Sequence, residues 1–177
     1  MSRPTRVLYL DLDGTVRHGK DELGFFVNKR EDVHVFDGVP ELMQKYKDDG
    51  FRIVAITNQG GVALGHMSFQ VAEETIMETY SQCNKLFDKM MMCVHHPDAK
   101  DPEMAVCWCR KPRIGNIVTA ASKMGMEHDE YYPPHLALFV GDRPEDRECA
   151  ESAGIKFMDA KEWRAQALHA KPNQEEV

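Results

Sequence analysis

Apolar residues along the chain alternate between short unbroken runs and stretches with helical spacing. The runs RVLYLDL (6–12), FRIVAITN (51–58) and LALFVGD (136–142) are rich in aliphatic and β-branched side chains, and each stops at polar residues able to do chemistry. That form predicts buried strands. KMMMCV (89–94) and IKFM (155–158) predict two more. From DGVP onward, Val39, Leu42, Met43 and Tyr46 recur at three-to-four spacing, with Pro40 suited to a first helical turn and Gly50 to a stop. A second helix opens at Ser68 and puts Phe69, Ala72, Ile76, Tyr80 and Cys83 on one buried face. IGNIVTAASKMG (114–125), PEDRECAESAG (144–154) and AKEWRAQALHA (160–170) read as further helices. Strand and helix alternate throughout, which predicts an α/β protein with a parallel sheet covered by helices on both faces.

Composition narrows the class. With 177 residues, 42% hydrophobic and 29% charged, the expectation is one globular domain spanning 1–177, its tail frayed from about 170. No apolar run approaches the ~20 residues of a membrane span, and MSRPTR has no apolar signal region behind it, so a cytoplasmic protein without a membrane partner is expected. Five cysteines is an odd number, and three crowd into 93–109. A disulfide framework fits that poorly; metal ligation in a reducing compartment fits it well. A net charge of −7 without a Lys/Arg stripe argues against a nucleic-acid partner, while leaving room for a basic pocket that holds one phosphate. The absence of heptads makes a monomer the expected state.

The chemistry gathers at strand ends. DLDGT sets Asp11 and Asp13 two residues apart before a glycine that lets the backbone turn sharply. Alone this could be a surface turn, since Asp-Gly is common in loops. Its company says otherwise: Thr57 and Asn58 end the second long run, GDRPED (141–146) closes the third, and Lys111 follows a pair of cysteines. Ends of parallel strands are where such sheets bind ligands. In this order, from about residue 6 to 160, the motifs resemble the haloacid dehalogenase superfamily of phosphotransferases. The resemblance implies a Rossmann-like fold in which Asp11 is the nucleophile and Asp13 the acid and base. It also implies that Asp11, the backbone carbonyl of Asp13 and Asp142 hold Mg²⁺, while Thr57, the Asn58 backbone and Lys111 hold the phosphoryl oxygens. Asp146 then orients the metal waters or Lys111.

CVHHP (93–97) and CWCRKP (107–112) supply Cys93, His95, Cys107 and Cys109, a Cys₃His set of the kind that closes a tetrahedral structural zinc site; His96 is the competing ligand. Zinc there staples a long loop whose last residues, Arg110 and Lys111, must reach the phosphate. With TNQGG (57–61), these segments resemble the capless, zinc-containing subgroup that includes heptose 1,7-bisphosphate and histidinol phosphate phosphatases. That implies a Mg²⁺-dependent phosphomonoesterase acting through an aspartyl phosphate on a small phosphorylated metabolite, with Arg110 binding substrate. Two departures remove cations: Leu12 and Leu64 stand where the heptose enzymes usually carry arginine. Arg17, His18 and Arg143 are candidates to replace that charge, although each reads first as an ordinary solvated side chain. Two alternatives stay open: a polynucleotide 3′-phosphatase, which shares the TNQ and GD motifs, and a non-catalytic zinc-stapled module that binds a phosphorylated ligand. A P-loop reading of Gly60 and Gly65 fails, because His66 and Met67 stand where Lys and Ser/Thr are needed. Cys83 and Cys149 read as buried hydrophobes, and Met90 to Met92 as strand core.

Overall fold

A computed structural model describes residues 5–20, 26–126 and 136–168; the expected frayed tail lies outside them. In chain order the elements are β1 (Arg6–Leu10), β2 (Arg17–His18), β3 (His34–Val35), α1 (Val39–Asp48), β4 (Phe51–Asn58), α2 (Phe69–Gln82) and β5 (Lys89–Cys93). They continue with α3 (Pro102–Ala105), α4 (Gly115–Lys123), β6 (Ala137–Gly141), α5 (Pro144–Ser152), β7 (Lys156–Asp159) and α6 (Ala160–Leu168). Five strands form one sheet in the order β5-β4-β1-β6-β7, with every adjacent pair parallel. The order reverses at β1, which makes its C-terminal end the expected ligand crevice.

The two-residue period of the strands explains why helices cover both faces. Leu8 and Leu10 of β1 face a cluster that includes Val39, Leu42 and Met43 of α1, Ile76 of α2 and Trp163 of α6. Val7 and Tyr9 face the opposite cluster, with Ile117 and Ala120 of α4 and Cys149 and Ala150 of α5. Met90 and Met92 pack on the first cluster and Met91 on the second, as neighbours on a strand must.

Local signals set the helix starts. Pro40 lies in the first turn of α1, and the Ser68 hydroxyl accepts from Val71 N at 3.1 Å to cap α2. The buried face of α2 keeps Ala72, Ile76 and Cys83 as expected, with Tyr80 half-buried, and departs at one expected position. Phe69 is 50% exposed, and Thr75 and Thr79 are fully buried beside Ala72 and Ile76. The reason is a buried partner that hydropathy does not see: both threonines bond Arg17.

Two small features escaped the periodicity, the antiparallel β2–β3 ribbon and the single-turn α3. Both are too short for a period to register. Trp163, which carried no signal in the sequence, is fully buried between α6 and the sheet. Trp163→Ala is expected to cost about 3–5 kcal/mol, read as a lower urea midpoint at unchanged slope. A cost below about 1 kcal/mol would show that α6 contributes little to the core.

Candidate active site

Asp11 is the first residue beyond β1, and Asp142 the first beyond β6, so two adjacent strands deliver two carboxylates to one place. The turn between Asp11 and β2 has to pass close beneath Asp142. Gly14, at φ +89°, makes that possible: a Cβ there would collide with the Asp142 carboxylate. Gly141 plays the same part for Asp146, whose side chain occupies the space a Cβ would need. From α6, Arg164 Nη1 donates to the carbonyls of Gly14 (2.7 Å) and Thr15 (2.8 Å) and so fixes the turn from outside the sheet.

Lys111 is the hub. Its ammonium, almost wholly buried, donates to Asp11 Oδ1 at 2.5 Å, to Ile56 O at 2.7 Å, and pairs with Asp146 Oδ1 at 2.7 Å. Asp146 is held in turn by Arg143 N at 3.1 Å, at the start of α5. Asn58 clasps the lysine backbone from β4, its Nδ2 donating to Lys111 O (3.2 Å) and its Oδ1 accepting from Lys111 N (3.0 Å). Thr57 is buried, with its hydroxyl 2.9 Å from Gln59 Nε2.

Asp13 lies apart from this cluster. Its carboxylate accepts from Gln59 Nε2 at 2.6 Å and from Arg17 Nε at 2.8 Å. Arg17 was expected to be solvated; it is fully buried, so that expectation is corrected. Gln59, the third residue of TNQ, links Asp13 to Thr57, a role its motif alone does not show. Its signal was the spacing: two residues after Thr57, it leaves the strand end on the same side.

Oxygens of Asp11, Asp142 and Asp146 lie within 4.8 Å of one another. Burial pushes the Asp11 carboxyl up to about 7, against the pull of Lys111 and with help from Asp146 and Asp13. Burial and Asp146 likewise raise Asp142, and its Oδ1 is buried without a hydrogen-bond partner. Lys111 is held above its ordinary value because Asp11 and Asp146 outweigh the opposing burial. Three carboxylates thus surround one ammonium, and an orphaned carboxylate oxygen faces the gap. A hard divalent cation with oxygen ligation, such as Mg²⁺, fits that donor set and that charge deficit.

The second metal group is Cys93, His95, Cys107 and Cys109, whose ligand atoms also lie within 4.8 Å of one another. Tetrahedral zinc places two sulfurs about 3.7 Å apart and a sulfur and a nitrogen about 3.5 Å apart. Here Cys93 Sγ is 3.7 Å from Cys107 Sγ, and His95 Nδ1 is 3.6 Å from Cys93 Sγ and 3.5 Å from Cys109 Sγ. The donors are spaced for zinc. His96 is outside the group, its Nδ1 accepting from Asp98 N at 3.1 Å. Arg110 is tied to the same loop: its N–H meets Cys107 Sγ at 3.4 Å and its Nη1 donates to His95 O at 3.1 Å. Cys83 and Cys149 are buried and belong to neither group, and burial pushes each thiol up to about 12.

A narrow inlet lined by Asp11, Asp13, Lys111 and Asp146 shares Phe26, Asn58, Arg143 and Glu145 with a wider cavity of about 640 Å³. Leu64, His66, His96 and Arg110 line the far wall of that cavity. Arg143, expected to be solvated, is half-buried at this rim, its guanidinium 4.8 Å from the Phe26 ring centre. Among the described residues no inserted cap domain covers the opening.

The five-stranded parallel sheet shares its fold with a haloacid dehalogenase-like (HAD-like) protein from Mesorhizobium loti, at a TM-score of 0.74 and 19% identity over 98% of this chain and 91% of the other. Residues 6–171 match the family model described as polynucleotide kinase 3 phosphatase, and the chain belongs to that family. It is 32% identical over 158 residues to a D-glycero-D-manno-heptose-1,7-bisphosphate 7-phosphatase of Chlorobaculum tepidum, covering 85% of this chain and 76% of that protein. It is 29% identical over 157 residues to the histidine biosynthesis bifunctional protein HisB of Legionella pneumophila, covering 86% of this chain and 40% of that one. The fold is shared with the D,D-heptose 1,7-bisphosphate phosphatase of B. bronchiseptica, solved with magnesium and phosphate. That likeness has a TM-score of 0.70 and 22% identity, and covers 98% of this chain and 92% of the other.

Proposed function

We propose that the protein hydrolyses a phosphomonoester of a small metabolite, with a sugar bisphosphate such as heptose 1,7-bisphosphate as the first substrate to test. The observation that carries this reading is Asp11: a buried carboxylate at the end of the central strand, ion-paired to Lys111 and facing an inlet from a 640 Å³ cavity. The heptose-phosphatase relatives support the substrate class. Lys111 takes Asp11 Oδ1, which leaves Oδ2, 3.4 Å from the Thr15 hydroxyl, as the freer oxygen for attack. Its lone pair forms the new bond to phosphorus as the ester P–O bond breaks, and the departing alkoxide takes a proton from Asp13. Asp13 then draws a proton from water, whose oxygen attacks the aspartyl phosphate and releases inorganic phosphate. Thr57, the Asn58 backbone and Lys111 hold the phosphoryl oxygens, and Arg110 binds the rest of the substrate. Mg²⁺ held by Asp11, Asp142 and the Asp13 carbonyl would supply the positive charge that lets a carboxylate approach a phosphate dianion. Residues 1–177 would act as one catalytic unit, monomeric and cytoplasmic, a compartment in which the zinc-binding thiols stay reduced.

Phosphate release with Mg²⁺ tests this on heptose 1,7-bisphosphate, histidinol phosphate, other sugar phosphates, nucleotides and a 3′-phosphorylated oligonucleotide. Turnover of one compound well above the rest is expected. The family description favours the oligonucleotide as second reading, and its turnover would select that reading. Folded, metal-replete protein that releases no phosphate would leave a binding module. Lys111→Met is expected to lower kcat by about 10²–10³-fold, because it removes a donor preset for the charge that develops on the phosphoryl oxygens. A loss below tenfold would remove Lys111 from that role.

A further inference from the structure

Arg17 is charged and shows no exposed surface. Its guanidinium makes four hydrogen bonds, two to Asp13 and two to α2. Nε donates to Asp13 Oδ1 at 2.8 Å and Nη2 reaches Asp13 Oδ2 at 3.4 Å, while Nη1 donates to Thr75 O at 2.9 Å and Thr79 Oγ1 at 2.8 Å. Thr79 is itself fixed, its hydroxyl donating to Thr75 O at 2.8 Å. A buried ion pair is weak ground for stability, since desolvation offsets most of the attraction. Such a pair is better explained by the geometry it enforces. Without Arg17, the Asp13 carboxylate could turn about its side-chain bonds toward Lys111 or the gap between Asp11 and Asp142. With it, Asp13 stays out of the carboxylate cluster, bound on one side by Gln59 and on the other to α2.

We infer that Arg17 is a positioning residue that locks the Asp13 carboxylate to α2, in the orientation from which it hands its proton to the leaving group. The inference rests on the proposed phosphatase reading. It fits a planar fork that grips both carboxylate oxygens, which a lysine cannot reproduce. The network runs on through Gln59 to Thr57, so the acid, the hydroxyl beside the phosphate and α2 form one rigid unit.

The test compares two leaving groups by kcat/KM, which reports the steps through formation of the aspartyl phosphate. Heptose 1,7-bisphosphate loses an alkoxide that needs a proton; 4-nitrophenyl phosphate loses a phenolate that does not. Arg17→Met is expected to lower kcat/KM for the alkyl ester by about 10²-fold and for the aryl ester by less than about fivefold, with Arg17→Lys recovering part of the difference. In an Asp13→Asn background, Arg17→Met is expected to add no further loss on the alkyl ester. Equal losses on the two esters, or a full additional loss in the Asp13→Asn background, would overturn the inference. If Arg17→Met does not fold, Thr79→Val reports instead: it loosens one anchor and should give the same split at about three- to tenfold, and no split would count against it. Wild-type protein that turns over neither ester overturns the phosphatase reading and this inference with it. Wild-type turnover with unsplit variants overturns this inference alone.

Discussion

Asp11→Asn is expected to abolish hydrolysis, lowering kcat by at least about 10³-fold while the protein stays folded. The amide keeps the shape of the carboxylate and loses its nucleophilic charge. Lys111 keeps Asp146 and the Ile56 carbonyl as partners, so it is not left alone in the interior. The substitution also removes a charge whose burial is unfavourable, which protects the folded state from the usual penalty of breaking a buried pair. Phosphate release and a urea titration, run side by side, check both halves. Activity within tenfold of wild type would place the nucleophile elsewhere and end the aspartyl-phosphate mechanism.

Loss of zinc is the second large effect. Cys109→Ser, or dialysis against a strong chelator, is expected to take bound zinc from about one per chain to near zero. Structural zinc makes about 10–16 kcal/mol available in small domains that fold only around it. This sheet has its own core, so a smaller share is expected here: about 3–5 kcal/mol, or roughly 10 °C in Tm for a chain of this length. Activity should fall with it, because Arg110 is bonded to Cys107 and His95 and Lys111 is the next residue. Zinc should restore that activity where extra Mg²⁺ does not. Elemental analysis with thermal melts decides it: unchanged Tm after complete zinc removal would mean that protein contacts alone hold the loop.

The sequence carried the architecture because strand and helix periods were strong and each strand stopped at a polar residue. Asp11 pairs with Lys111 and shares a carboxylate cluster with Asp142, since a parallel sheet brings its strand ends together whatever their separation in sequence. His95, named in the zinc set with His96 as its competitor, is the histidine that lies with the three cysteines, while His96 bonds Asp98 N. Arg17 was misread for a deeper reason. Burial of an arginine depends on partners that arrive from elsewhere, here the threonines of a helix about sixty positions away, and polarity patterns record only the residue's own preference. Phe69 was misplaced by the same interaction, because the helix turned its threonines inward.

The place of β1 also sets a timetable for synthesis. It leaves the ribosome before both of its neighbours, for it lies between β4 and β6, and Val7 pairs with Ala137. Arg164, which fastens the turn after Asp11, emerges later still. A growing chain therefore carries Asp11 without β6, Asp142 or the Arg164 clasp until those later segments have emerged. Until β4 and β6 have emerged, the central strand is an open edge that other chains can reach.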